Sequence, residues 1–280
     1  MCEYDWISFF CSPIVMRAML VGVVLAALLG ALGVLVVARG LSNIGDGLSH
    51  AAFGGIALAL FLGASMPLVV AIPFTSALAM TIGVLRRKGG LRSDVAMATL
   101  FSCAFAVGTI LIKKATRTQS SFDPEQLLFG SILFVNDTDV VTVLALAAVT
   151  IVFILGLWSR IAYATFDEEL ARLSGIEVGW LESALLALLA AVIVASIRLA
   201  GVVLVSAFLV IPAATSRHFG KTLSSVVLYS IATGVFGAIL GFVLARGFAW
   251  PVGASIVLAL GAQFVVTTLF DHFRRRHPAS

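Results

Sequence analysis

The chain has 280 residues, of which 61% are hydrophobic and only 11% charged. Soluble domains run roughly 45–50% apolar and about 25% charged, so this composition excludes a soluble enzyme, a disordered protein and a nucleic-acid binder. The net charge of +4 is the excess expected of cytoplasmic loops in a membrane protein rather than a mark of nucleic-acid affinity.

Taken in chain order, the segment 1–13 carries Glu3 and Asp5 but no Lys or Arg. A secretory signal needs a positive start and a shorter apolar run, so the first span is expected to be retained and 1–13 to lie outside. Apolar runs near 14–38, 48–63, 66–85, 95–112, 140–157, 181–197, 199–214, 223–245 and 251–270 predict transmembrane helices. That makes nine passes, or eight if a short run (48–63 or 199–214) is broken or re-entrant. The fold class is therefore an all-α integral membrane protein. It has one polytopic transmembrane domain over 14–270 and a basic tail over 271–280.

Lys and Arg set the orientation. With the N-terminus outside and nine passes, 12 of the 18 fall inside: Arg39, Arg86, Arg87, Lys88, Arg92, Arg160, Arg172, Arg217, Lys221 and Arg274 to Arg276. The tail is then cytoplasmic and faces anionic membrane lipid.

Catalytic motifs are missing. There is no phosphate-cradling G-x-x-x-x-G-K-[ST] loop, no H-E-x-x-H and no G-x-S-x-G. Cys2, Cys11 and Cys103 form no C-x-x-C pair and imply neither a disulfide framework nor a thiolate site. The chain is read as a non-enzyme that binds no resident cofactor.

The polar residues of interest begin with Asp46 and His50, four positions apart in the run from Arg39 to Ala51. If the second span starts early, both leave one face of a helix. A carboxylate and an imidazole together suit a divalent transition metal. The blander readings are an Asp46 helix cap and a structural hydrogen bond from His50. Elsewhere, Asp94, Asp137 and Asp139 are expected to cap helices. Glu182 is expected at an interface, and Pro212 is expected to end its helix. His218, His272 and His277 read as surface residues. Thr165-x-x-Glu168 matches a capping box, with Gly175 placed to end a short helix that carries Leu170 and Leu173. Gly234, Gly237 and Gly241 are spaced for close helix packing.

The run RGLSNIGDGLSHAAFGGIALAL over 39–60 resembles the signature of the zinc, manganese and iron permease subunits of ATP-binding-cassette importers. Other stretches agree in order: Arg92-Ser93-Asp94, Leu128-Phe129-Gly130-Ser131, Asn136 to Asp139, Phe166 to Ala171 with Gly175-Ile176, and Gly201 to Ala207 running into Ile211-Pro212. Gly47 and Phe53-Gly54 stand where many members carry Ala and Leu-Pro.

The resemblance implies an importer of a divalent metal ion, Zn2+ or Mn2+ with a slight lean to zinc, that works by alternating access. Asp46 and His50 would be its pathway ligands. It implies a second permease copy, cytoplasmic ATP-binding-cassette ATPase subunits that hold the ATP, and an extracytoplasmic metal-binding protein. Phe166, Asp167, Glu168, Glu169, Leu170, Ala171 and Gly175 would form the cytoplasmic coupling helix that docks on the ATPase. The location implied is the plasma membrane of a prokaryote. A stand-alone secondary cation transporter driven by a proton or sodium gradient is the alternative.

Overall fold

The structure is a computed structural model that describes residues 12–88, 93–115, 130 and 135–276. Cys2, Cys11, Arg92, Leu128, Phe129, Ser131 and His277, and the side chain of Asp94, lie outside the described residues. Among those described, the regular structure is helical throughout: α1 (Pro13–Val37), α2 (Ile44–Phe61), α3 (Pro67–Lys88), α4 (Ser93–Ala115), α5 (Asp137–Phe166), α6 (Glu168–Leu173), α7 (Val178–Ser216), α8 (Leu223–Phe248) and α9 (Val252–Arg276). All but the six-residue α6 are long and apolar enough to cross a bilayer, which makes eight candidates. Helices are the outcome lipid enforces, because each must satisfy its own backbone hydrogen bonds there.

The chain divides into two compact units. The first draws on residues 1–37, 126–147 and 198–280, and the second on 38–125 and 148–197.

In the first unit α1 is the buried element, enclosed through most of Val21–Val36. Small residues let its neighbours come close. Ser230 Oγ donates to the Gly30 carbonyl at 2.8 Å, and a Cβ on Gly33 would stand 1.9 Å from the Leu209 carbonyl oxygen. Gly234 faces Ala26, Gly237 faces Leu260 and Gly241 faces Ile256, the close packing their spacing predicts. Partners of α1 fall from Gly30 to Ala26 as α8 rises from Ser230 to Gly234, so the two helices are antiparallel. By the same test α9 is antiparallel to α8.

The expected spans 181–197 and 199–214 join into the 39 residues of α7, interrupted at Gly201 (φ 77°, ψ 160°). The helix breaks there. Arg198 pairs with Asp139 at 2.6 Å, two residues along α5 from Asp137, which pairs with Arg17 near the start of α1 at 3.0 Å. Leu209 instead lies beside Gly33, roughly 24 Å further along α1 at about 1.5 Å per residue. After Gly201 the chain thus runs parallel to α1. At the far end His218, just past α7, meets Asp271 near the end of α9 at 3.1 Å. The start of α1 and the end of α9 lie at opposite ends of this unit. Residues 202–216 cover only about 22 Å, short of the ~30 Å hydrocarbon core, so a separate short segment over 199–214 was legible.

Glycine alone tolerates the backbone at Gly201. Gly130 (φ 65°) packs against it, with a Cβ position 2.3 Å from the Gly201 nitrogen. Gly201→Ala is expected to cost about 1–3 kcal/mol of stability, read as a lower thermal midpoint of the purified protein in detergent.

Pro212 does not end its helix. It leaves the Phe208 carbonyl without its amide donor, yet α7 continues to Ser216. Thr215 and Ser216 hydroxyls donate to the Ile211 and Ala213 carbonyls and support the last turn.

In the second unit α2 is wedged between α3 and α4. A Cβ on Gly54 would meet the Ala104 carbonyl oxygen at 2.6 Å, and one on Gly55 would meet the Ala71 Cα at 2.9 Å. The glycines of this stretch serve close packing here. Arg39 donates to Thr165 Oγ1. Glu182 is 1% exposed, enclosed by protein rather than set at an exposed interface.

Candidate metal site

Helix α2 begins at Ile44 with Asn43 as its N-cap, four residues earlier than the apolar run suggested. Glycines at 45 and 47 dilute the hydropathy of this first turn without stopping the helix. Asp46 and His50 therefore do stand one turn apart on one helix. His50 Nε2 lies 3.8 Å from Asp46 Oδ2, close enough for both to reach a common ion and too far for a short hydrogen bond.

Asp46 is not the cap. The first turn closes through backbone, with Gly47 N donating to the Asn43 carbonyl at 3.2 Å. Nor is His50 a buried structural donor. The two side chains are 45% (His50) and 68% (Asp46) exposed, and they open into a cavity of about 550 Å³. The opposite wall is α4. Phe105 meets the His50 ring edge-on at 5.3 Å, and Phe101 sits where a Cβ on Gly47 would be, 1.9 Å from its ring atoms. Glycine at 47 thus lets the two helices close around Asp46 and His50.

Two polar residues escaped the sequence reading. Asn43 lines the same cavity, and its side chain makes no cap hydrogen bond. It precedes Asp46 by three and His50 by seven, one helical stripe, and that spacing was the available signal. Ser102 on α4 also lines the cavity, and nothing in its sequence neighbourhood marks it. Among the described residues no group of three or more His, Cys, Asp or Glu gathers to hold a metal. One chain offers this site one carboxylate and one imidazole.

The second sequence-predicted cluster is α6. Asp167, not Thr165, is its N-cap, accepting from Leu170 N at 2.9 Å. Thr165 is still inside α5, where its hydroxyl donates to the Ile161 carbonyl at 2.6 Å. Gly175 (φ 79°) ends the turn as expected. Gly175 N donates to the Arg172 carbonyl and Ile176 N to the Ala171 carbonyl, the paired bonds of a Schellman ending. Ala171 is buried, while Phe166, Leu170 and Leu173 are 75%, 47% and 84% exposed. Glu168 and Glu169 occupy the first turn, where the helix dipole favours them.

Of the other residues, Asp139 accepts from the Asn136 amide at 3.1 Å, the reciprocal arm of a cap, and also carries Arg198. His218 is half-buried between Asp271 and Thr268 rather than a free surface residue. His272 is exposed.

A polytopic helical membrane protein with an acid–histidine pair near the start of a candidate span and a short capped helix carrying exposed leucines has the parts of a transporter permease. The chain matches the ABC 3 transport family over residues 12–271. It is 32% identical to the manganese import system permease protein ScaB of Streptococcus gordonii, over 90% of this chain and 89% of that one. It is 31% identical to the manganese transport system membrane protein MntC of Listeria monocytogenes, over 91% and 89%. Among solved structures it resembles PsaBC from Streptococcus pneumoniae in complex with Fab, with a TM-score of 0.82 and 30% identity, covering 93% of each chain. The chain belongs to the ABC 3 transport family, the family of metal-importer permeases that its motifs resemble.

Proposed function

We propose that this chain is the permease subunit of an ATP-driven manganese importer and that Asp46 and His50 are its pathway ligands. The observation that carries the reading is the Asp46–His50 pair, aligned on one face of α2 and open to a cavity, within a chain of this family. Two copies would supply two carboxylates and two imidazoles, a shell whose two negative charges bring the bound dication to zero net charge. That offsets part of the cost of carrying the ion through a low-dielectric region. ATP would bind in separate ATPase subunits, docked on Leu170 and Leu173 of α6 and on Phe166 at the end of α5, and an extracytoplasmic binding protein would deliver the ion. Alternating access would move it inward. The N-terminus lies outside and the tail inside the plasma membrane of a prokaryote, in keeping with the lysine and arginine count.

The lean to zinc finds no support among the relatives named above, two of which bear manganese in their names. Nor do those relatives favour a gradient-driven carrier. The site's own chemistry gives a reason for manganese. Four ligands complete a tetrahedral zinc shell. Adding the Asn43 carboxamide oxygen from each copy makes six, four of them oxygens, which suits manganese. Asn43→Ala is expected to cut the manganese-over-zinc preference about tenfold, read as uptake of radioactive manganese against increasing unlabelled zinc.

The reading as a whole is tested by radioactive manganese accumulation in cells that make this chain with its ATPase and binding protein. Uptake lost with an ATPase-dead partner supports the importer. Uptake that survives it overturns the ATP-driven reading. Docking has its own test: Leu173→Asp, at an 84% exposed position, is expected to leave the folded yield unchanged and to lower co-purification of the ATPase about tenfold.

A further inference from the structure

A second polar cavity, of about 400 Å³, lies in the second unit, where the end of α5 meets the turn from α6 into α7. Its size falls within the ~300–1,000 Å³ of small-ligand sites. Arg160, Ser174, Glu177 and Trp180 line it. Arg160 and Glu177 share the cavity without forming an ion pair or a side-chain hydrogen bond to any described residue. It therefore presents one open cation, one open anion and an indole that is 58% exposed.

Depth fixes what medium this cavity meets. Helix α5 has 30 residues, whereas about 20 cross the hydrocarbon core. Counted from Asp137, the core ends near residue 157. Arg160 then lies roughly 5 Å beyond it at about 1.5 Å per residue, in the headgroup layer. Trp180 lines the cavity and Tyr163 reaches its Ser174 at 3.4 Å, aromatic side chains of the kind that gather at a membrane surface.

We propose that this cavity binds the headgroup of phosphatidylethanolamine. The guanidinium of Arg160 takes the phosphate in a charge-assisted contact. Glu177 accepts from the primary ammonium, and Trp180 covers the link between them. A purely anionic headgroup would satisfy Arg160 but meet repulsion from Glu177. Phosphatidylcholine would place a cation near Glu177, but its quaternary nitrogen has no N–H to donate. A lipid held here bridges α5 to the Gly175 turn and braces the helix proposed to dock on the ATPase. The lipid assignment itself does not depend on which metal is carried.

The experiment is native mass spectrometry of the full chain with its ATPase partner, purified in detergent and offered phosphatidylethanolamine, phosphatidylglycerol and phosphatidylcholine in equal amounts. One phosphatidylethanolamine retained per permease chain is expected. Arg160→Gln and Glu177→Gln should each lower its retention about tenfold, the equivalent of roughly 1.4 kcal/mol. Glu177→Gln should raise retention of phosphatidylglycerol. An unchanged elution profile and thermal midpoint confirm that both variants fold. Soluble glycerophosphoethanolamine should fail to displace the lipid; if it displaces it at equal concentration, the site is one for a free headgroup and the lipid assignment falls. Equal retention of all three lipids, or retention unaffected by either substitution, overturns the proposal.

Discussion

Cells carrying His50→Ala or Asp46→Ala are expected to accumulate manganese at background level, a loss of at least about 100-fold, while making normal amounts of protein. The two halves of this expectation have separate causes. Loss of transport follows from charge and coordination number. Without Asp46 a two-copy site keeps only neutral imidazoles and carboxamides, and the dication enters without a compensating charge. Without His50 only two carboxylates and two carboxamides remain, and the six-ligand shell falls to four, too few to replace the water the ion must shed. Normal protein levels follow from exposure: the side chains are 45% and 68% exposed, and substitutions at such positions shift stability by about 0.5 kcal/mol or less. A buried structural histidine would behave the other way, losing protein before transport. Radioactive uptake normalised to membrane content separates the two. If both variants transport normally, the ligand assignment is wrong, even if the chain remains an ATP-driven importer.

How much of this was legible in the sequence depended on the kind of information each feature needs. Helix type and approximate limits follow from apolar run length, because lipid permits little else, and every expected span meets a helix. The start of α2 was placed late because Gly45, Asp46 and Gly47 lower local hydropathy, while helix geometry responds to capping and packing. The break at Gly201 is one residue's dihedral angle inside an apolar run, invisible to any window average; only the short length of the second run hinted at it. Pro212 read as a terminator on its local chemistry, but neighbouring hydroxyls and packing carried the helix past it. The Asp46–His50 spacing was readable because it lies within one helix. The contribution of α4 was not, since Phe101, Ser102 and Phe105 reach the cavity only through tertiary packing. Thr165 and Asp167 both match cap chemistry, and the sequence could not rank them. The choice fell to where α5 ends, and α5 runs one residue past Thr165.

Gly33→Ala is expected to be strongly destabilising, and two other glycines supply its controls. A Cβ at Gly33 would lie 1.9 Å from the Leu209 carbonyl oxygen, 2.9 Å from its carbonyl carbon and 3.3 Å from its Cα. All three are backbone atoms of a helix and cannot rotate away, so the helices must part. A Cβ at Gly47 would lie equally close, 1.9 Å, but to the ring of Phe101, which can turn. At Gly156 a Cβ would meet nothing within 4 Å. Gly156→Ala is therefore expected to be neutral or to stabilise α5 by up to about 1 kcal/mol, since alanine is the better helix former. Gly33→Ala should cost about 3 kcal/mol or more, the upper end for overpacking, because α1 is the buried centre of its unit. Gly47→Ala should fall between them in stability yet impair manganese uptake, because the displaced Phe101 ring lines the Asp46–His50 cavity. Thermal midpoints of the three variants in one detergent give the order directly. Equal midpoints for Gly33→Ala and Gly156→Ala would mean that α1 and the second half of α7 do not meet backbone to backbone. The parallel course assigned to residues 202–216 would then lose its main support.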